Sequence, residues 1–299
     1  MDRVTTIIPL YNHEKYITRA VESVLAQGDI LRELIVIDDG SKDRSAEVMN
    51  ILATRDPRIT FLQHENRGAH ATINRGLEMA SGEFVTILNS DDYFAKGRFS
   101  ALAHCLDLDE GSDFASSGIA FVDGQEIAIE NQWFRTALDG FKHRRDVAVS
   151  LIDANYLMTT SNFFMRRSLI QRMGYFAPLR YAHDLEFALR CAAHGVRFCF
   201  IDRPLMHYRF HATNTISENH ASVRLEWALC AAIYLRLKYP AGHRTNDPRP
   251  GQIRAILEKH GLSRVVDLMV AFLDAKGIDR VDDELIAHVR RNKVFAEAA

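Results

Sequence analysis

Residues 4–45 read VTTIIPLYNHEKYITRAVESVLAQGDILRELIVIDDGSKDRS. Val4–Pro9 is a short apolar run of the kind that forms a strand buried on both faces. Ile17, Ala20, Val21, Val24 and Leu25 then recur at helical spacing, with Asn12 as the expected cap and Gly28 as the stop. Glu33–Ile37 reads as a second strand and ends in Asp38-Asp39-Gly40-Ser41. Strand, helix and strand in this order make a right-handed βαβ unit, and therefore a parallel sheet. In such sheets ligands bind beyond the carboxyl ends of the strands.

The alternation continues outward. A polar helix is expected over about residues 44–54, a strand over 59–62, a helix over 69–80 and a strand over 84–88. This last strand ends in Asn89-Ser90-Asp91-Asp92, so two acidic clusters fall on one sheet edge. The middle of the chain differs. Ile119–Val122 and Gln125–Ile129 flank Asp123-Gly124, a hairpin signal, and Leu205–Phe210 alternates like a further strand. From His220 onward only helical patterns remain, at 223–239, 252–260, 264–275 and 281–295. Residues 239–251 (YPAGHRTNDPRPG) hold three of the seven prolines and read as a linker.

Composition bounds the function classes. The chain has 299 residues, 47% apolar and 25% charged, as in ordinary globular proteins. Its formal net charge is −2, which gives no basic field for nucleic acid. The longest apolar run, Trp227–Leu235, is far short of the ~20 residues that span a bilayer. No secretory leader pattern opens the sequence, so a cytoplasmic location is expected. The four cysteines (Cys105, Cys191, Cys199 and Cys230) form no CxxC pair and are expected as buried free thiols.

Acidic turns after strands can be plain turn and capping chemistry. Two of them on one edge point further. Asp91 and Asp92 follow an apolar strand, where adjacent carboxylates call for a cation, and oxygen ligands suit Mg²⁺ or Mn²⁺. Such an ion could grip a diphosphate, and Asp39 could accept the imide N–H of a uracil. Neither GxGxxG nor GxxxxGK[ST] is present. A third cluster, His183-Asp184-Leu185-Glu186, opens a helical pattern, where acidic residues also favour the helix dipole.

Together VTTIIPLYNHEKYITRAVESVLAQ, ELIVIDDGSKDRS, ENRGAHATINRGLEMASGEFVTILNSDD, HDLEFALRCAAHG and YRFHATNTIS span about residues 3–217. In this order and spacing the chain resembles the family-2 glycosyltransferases. The resemblance implies a GT-A fold: α/β, with a Rossmann-like, mostly parallel central sheet, a small antiparallel acceptor-side portion and here a helical C-terminal region. It implies a catalytic domain over 1–217, with a nucleotide-sugar half to about residue 95 and an acceptor half from about 96, followed by helices over 218–299. It implies an inverting transfer from a nucleotide-diphosphate sugar, with UDP favoured, to a glycan or lipid-linked acceptor. Pro9, Tyr11 and Asn12 would border the nucleoside. Asp39 would accept from the base, with Asp38 shaping the turn. Asn66, Arg67 and Asn74 would border the base and diphosphate. Asn89, Ser90 and Asp92 occupy the family's DxD region with Asp91, the expected metal ligand for Mn²⁺ or Mg²⁺. His211 would add a metal or phosphate contact, and Asp184 would be the general base. Asn89 replaces the first DxD carboxylate, Ile73 an arginine, and His183 the glutamate of a Glu-Asp pair.

Other readings stay open from sequence alone. One is a degenerate module that only binds a nucleotide sugar. Another is a sugar-phosphate nucleotidyltransferase, although Pro9-Leu10-Tyr11-Asn12 stands where that class carries a glycine-rich loop. Tyr156, Asn162, Trp133 and Phe134 read as core more than as acceptor platforms, and Lys142–Arg145 as a solvated loop. The helix over 223–239 could pack on the domain, make a homodimer contact or rest on a membrane surface, which would put the enzyme at the inner face of the membrane.

Overall fold

β1 (Val4–Leu10), β2 (Leu31–Asp38), β3 (Ile59–Gln63) and β4 (Phe84–Ile87) are separated by α1 (Ile17–Leu25), α2 (Ser45–Ala53) and α3 (Ala69–Met79). The computed structural model describes residues 2–211, 214, 218–240 and 246–298. Ala212, Thr213 and residues 215–217 of the expected HATNTIS motif, and 241–245 of the expected linker, lie outside the described residues.

The four strands are parallel, in the order β3-β2-β1-β4. Val4, Ile7, Ile8 and Leu10 of β1 are fully buried, each worth roughly 1.5–3 kcal/mol relative to exposure. Gly76 lets α3 lie against β1: a Cβ there would meet Ile7 Cγ2 at 2.5 Å. The chain turns to opposite sides of β1, so the crevice at a topological switch opens beyond Leu10 and Ile87.

The sheet continues with β5 (Tyr93–Phe94), β6 (Ser112–Val122), β7 (Ala128–Ile129), β8 (Phe164–Arg166) and β9 (Arg197–Arg209). β8 runs antiparallel between β4 and β6, β6 pairs β9 in parallel, and β5 pairs β9 antiparallel. The expected hairpin forms, with β7 antiparallel to the end of β6. The α/β expectation, with a parallel part and an antiparallel part, is met.

The remaining helices are α4 (Arg98–Leu108), α5 (Gln132–Arg144), α6 (Val147–Asp153), α7 (Arg167–Met173), α8 (His183–Ala193), α9 (His220–Lys238), α10 (Arg249–Lys259), α11 (Ser263–Lys276), α12 (Asp283–Arg291) and α13 (Lys293–Ala298). The single helix expected over 281–295 is two, because Asn292 takes an extended backbone between them. No helix among the described residues is long and apolar enough to cross a membrane. On α9 the stretch Ala228–Tyr234 is buried all round.

Contacts group the chain into two compact units that alternate in sequence. The first comprises Met1–Asn131, Leu157–Tyr175 and Arg197–Ala212 and holds the whole sheet; the second comprises Gln132–Tyr156, Phe176–Val196 and Thr213–Ala299 and is helical.

Two further expectations are corrected. Asn12 does not cap α1, whose N-cap is Tyr16; Asn12 takes a φ of 53° in the turn after β1. The cysteines are not all free. Cys105 on α4 and Cys199 on β9 are joined as a disulfide, 94 residues apart in sequence, while Cys191 and Cys230 are free and buried. The packing of α4 on β9 makes that pair, and no local spacing announces it.

Candidate functional site

The turn after β4 carries four polar residues whose side chains part ways. Asn89 donates from Nδ2 to Thr159 Oγ1 at 2.9 Å and accepts at Oδ1 from Thr160 Oγ1 at 3.1 Å. Its backbone N–H donates to Ser161 Oγ at 2.9 Å. Asp92, buried, accepts from Ser161 Oγ at 2.6 Å and from the Arg209 N–H at 3.0 Å. Arg209 Nε also donates to the Asp91 carbonyl at 2.8 Å. The turn is thus pinned from two sides, by residues 159–161 and by the end of β9.

Pinning aims Asp91 at two imidazoles. His211 Nε2 lies 2.9 Å from Asp91 Oδ2. His13, in the turn after β1, is held by Nδ1 at 2.7 Å from the hydroxyl of buried Ser90. One ligand atom each from His13, Asp91 and His211 lies within 4.8 Å of the others. Tyr16 stacks on His211 with ring centroids 5.1 Å apart.

The two neighbouring carboxyls separate electrostatically. Burial alone would push Asp91 up, but the hydrogen bond to His211, with the His13 imidazole beside it, holds it below its ordinary value. Burial, with the Asp91 charge beside it, pushes Asp92 well above the usual carboxylate range. Burial lowers His13, keeping a lone pair free of its proton, against the opposing pull of Asp91. The set is therefore one ionised carboxylate and an imidazole biased to neutrality, the protonation states a divalent ion requires.

The turn after β2 is clamped as firmly. Asp38 accepts from the Ser41 N–H at 3.1 Å. Asp39 accepts from the N–H groups of Arg67 at 2.7 Å and Gly68 at 2.9 Å, with His64 Nε2 at 3.2 Å. A nucleobase N–H arriving at Asp39 would use a remaining lone pair of a carboxylate that already holds the entry to α3. Gly40 has a φ of 76°, and a Cβ there would meet the Asn66 N at 2.9 Å. Asn12 accepts from the Lys42 N–H at 2.7 Å and its own N–H donates to Ser41 Oγ at 2.9 Å, tying the first two turns together. Tyr11, Asn66 and Arg67 are exposed, and Pro9 and Asn74 half-buried.

Asp184 belongs to the helical unit, in the first turn of α8. It is 7% exposed and accepts from Asn155 Nδ2 at 3.0 Å. Burial pushes its carboxyl up to about 6. Burial likewise drives neighbouring His183 down to about 4, so this imidazole is neutral. Glu186 instead pairs with Arg190 at 2.8 Å.

Among the weighed alternatives, Tyr156 is buried against Phe141, and Asn162 bonds Ser117 inside the core. Phe134 is buried too, whereas Trp133 is exposed. The basic run is not a loop: Lys142, His143 and Arg144 form the last turn of α5, and Arg144 pairs with Asp153. Sequence reading passed over His13, Tyr16 and residues 159–161. The only signal for His13 was its place one residue after Asn12, in the turn of the first switch-point strand.

Residues 5–174 match the model of glycosyl transferase family 2. EpsH of Bacillus subtilis, named as a glycosyltransferase, is 25% identical over 217 residues, covering 71% of this chain and 62% of that one. GlyA of Streptococcus pneumoniae, also a glycosyltransferase, is 38% identical over 92 residues, covering 31% of this chain and 13% of that one. The chain thus spans less than two thirds of either relative. Among solved structures, residues 1–349 of TarS from S. aureus, crystallised with UDP-GlcNAc, align at a TM-score of 0.61 and 20% identity. That alignment covers 99% of this chain and 89% of TarS 1–349, and it establishes a common fold.

Proposed function

Because the chain belongs to glycosyl transferase family 2, we propose that it moves a sugar from a UDP-sugar to a hydroxyl of a glycan or lipid-linked acceptor, with inversion. The observation that carries this reading is the convergence of His13, Asp91 and His211 at the switch point of the sheet. The crystallisation of TarS with UDP-GlcNAc and with UDP supports the choice of nucleotide.

The donor set fits a cation. Two imidazole nitrogens and a carboxylate oxygen suit Mn²⁺ better than Mg²⁺, which prefers oxygen throughout. When bound there, the ion supplies Lewis-acid neutralisation of the diphosphate charge, worth several kcal/mol. The chain's own residues do the rest. Asp91 and His211 hold the charged end of the donor, and His13 is fixed for the same task by Ser90. Tyr11 and Pro9 border the nucleoside. Asp38, Asn12 and Asp39 keep the turns that receive it in one shape, with Asn66, Arg67 and Asn74 on the segment Asp39 holds.

Asp184 is the proposed base. The acceptor oxygen bonds to the anomeric carbon as the bond from that carbon to the phosphate oxygen breaks. The hydroxyl proton passes to Asp184, and the bonding pair leaves with UDP. A carboxyl near 6 is ionised at neutral pH yet more basic than an ordinary aspartate. General-base assistance of this kind gives roughly 10²–10⁴-fold.

Calorimetry of UDP with and without Mn²⁺, on wild type and Asp91→Ala, tests the donor reading. Metal-dependent UDP binding in wild type, lost in the variant, is expected. Equal binding by both proteins would overturn it. UDP release from UDP-GlcNAc then separates a transferase, which leaks slowly to water, from a module that only binds.

A further inference from the structure

Arg180, Tyr181 and Ala182 present three successive backbone N–H groups to one carboxylate. Glu226 on α9 accepts from Arg180 at 3.2 Å through Oε1, and from Tyr181 at 2.8 Å and Ala182 at 3.1 Å through Oε2. These are the last residues before α8, and Ala182 is two positions ahead of Asp184. Ala182 is the N-cap of α8 and has no side-chain acceptor to offer. Glu226 reaches in from another helix and fixes the backbone that leads into α8, up to and including its N-cap.

The grip is two-sided. One turn along α9, Cys230 Sγ lies 3.7 Å from the Ala182 carbonyl. Glu226 is 4% exposed, and its counterion is Arg290 of α12, at 2.9 Å. Leu179, Leu225, Leu229, Ile286 and Val289 surround the pair with apolar surface. All of this lies beyond residue 174, where the match to the family model ends.

The geometry points to Glu226 as the positioning residue for Asp184, with Arg290 balancing its charge, so that the C-terminal helices α9 and α12 set the placement of the base. This rests on the reading of Asp184 as the base. The groups that face Asp184 are the Asn155 amide, its own N–H and that of Leu185, and, across from α9, Glu226 and the Cys230 thiol. Burial dominates its upward shift, and the Glu226 anion adds to it. A residue that merely held the fold together would not tune that titration.

The test uses the full chain without substrate. Glu226→Gln keeps the side-chain shape but loses the charge and one acceptor oxygen. Amide exchange over residues 180–185 should rise by about tenfold, while exchange in β1 and β4 stays unchanged. The titration of Asp184 is read as the pH at which the gap between each protein's melting temperature and that of its Asp184→Asn partner levels off, the midpoint of the folded-state titration. In Glu226→Gln this midpoint should fall from about 6 by roughly half a pH unit or more. Arg290→Met leaves the backbone bonds in place but unmasks the Glu226 charge, so its midpoint should rise. Opposite displacements in the two variants support the proposal. An unmoved midpoint, or displacement in the same direction in both, overturns it. Should Glu226→Gln fail to fold, the direction seen in Arg290→Met decides alone. Turnover surviving in Asp184→Asn would remove the base reading instead, and none of these substrate-free measurements depends on it.

Discussion

His211 Nε2 stands 2.9 Å from Asp91 Oδ2, although 120 residues separate the two in sequence. The contact joins the end of β9 to the turn after β4, and His13 reaches it from the turn after β1. Three separated stretches thus meet at a cluster whose ligand atoms are within 4.8 Å.

His13 tests that cluster most directly, since no motif demanded it. His13→Ala should weaken Mn²⁺ binding in the absence of nucleotide by about 10–100-fold, the range typical when a metal site loses support. The free Mn²⁺ signal in electron paramagnetic resonance measures it. Affinity equal to wild type would place His13 outside the site.

The titration of Asp184 gives two linked expectations. Its folded value is about 6 against an ordinary 3.8. A raised acid contributes stability below its unfolded value and loses it as pH rises through the folded one. Asp184→Asn should therefore match wild type in stability near pH 4 and exceed it, by on the order of 3 kcal/mol, above pH 7. Turnover should run the other way. In wild type it should climb with pH through about 6, and in the variant it should be lost at every pH. Denaturant melts and a pH–rate profile check the two halves separately.

Ser161→Ala should cost more than an ordinary hydroxyl. That oxygen donates to Asp92 at 2.6 Å and accepts from the Asn89 N–H at 2.9 Å. Its loss leaves the buried Asp92 carboxylate and the half-buried Asn89 N–H short of a partner, at about 1–3 kcal/mol each. The turn carrying Asp91 should loosen with it. Urea denaturation and Mn²⁺ affinity are both expected to fall, and a drop in stability alone would show that Asp91 is held without Ser161.

Gly76→Ala separates fold from site. The added methyl would stand 2.5 Å from Ile7 Cγ2. Overpacking of this kind costs typically 1–3 kcal/mol. A lower melting temperature with unaltered UDP affinity is the expected pair of results.

Much of the fold was legible because the first four strands are short, largely apolar runs with helical spacing between them. Their positions as read differ from those observed by at most two residues at either end. Asp91 and His211 were legible as a pair through resemblance. What escaped shares one physical reason: it depends on contacts far apart in sequence. The Cys105–Cys199 bond, the clamp of Thr159–Ser161 on Asn89 and Asp92, and Glu226 behind Ala182 each join elements whose meeting no local pattern encodes. Asn12 misled for a related reason. Its type suits a cap, but its side chain is drawn to the Lys42 N–H across the neighbouring turn.

The pairing of β6 with β9 also dictates an order of events on the ribosome. β1 to β4 have every parallel partner once residue 87 has emerged. β6 must wait for β9, which begins at Arg197, and β8 covers only its other flank. At ~5–20 residues per second, that wait lasts several seconds. During it one flank of an eleven-residue strand stays unpaired, the state most open to pairing with another nascent chain. Slower translation between the two strands would lengthen this window, so the yield of native protein should respond to codon choice there more than in the first ninety codons.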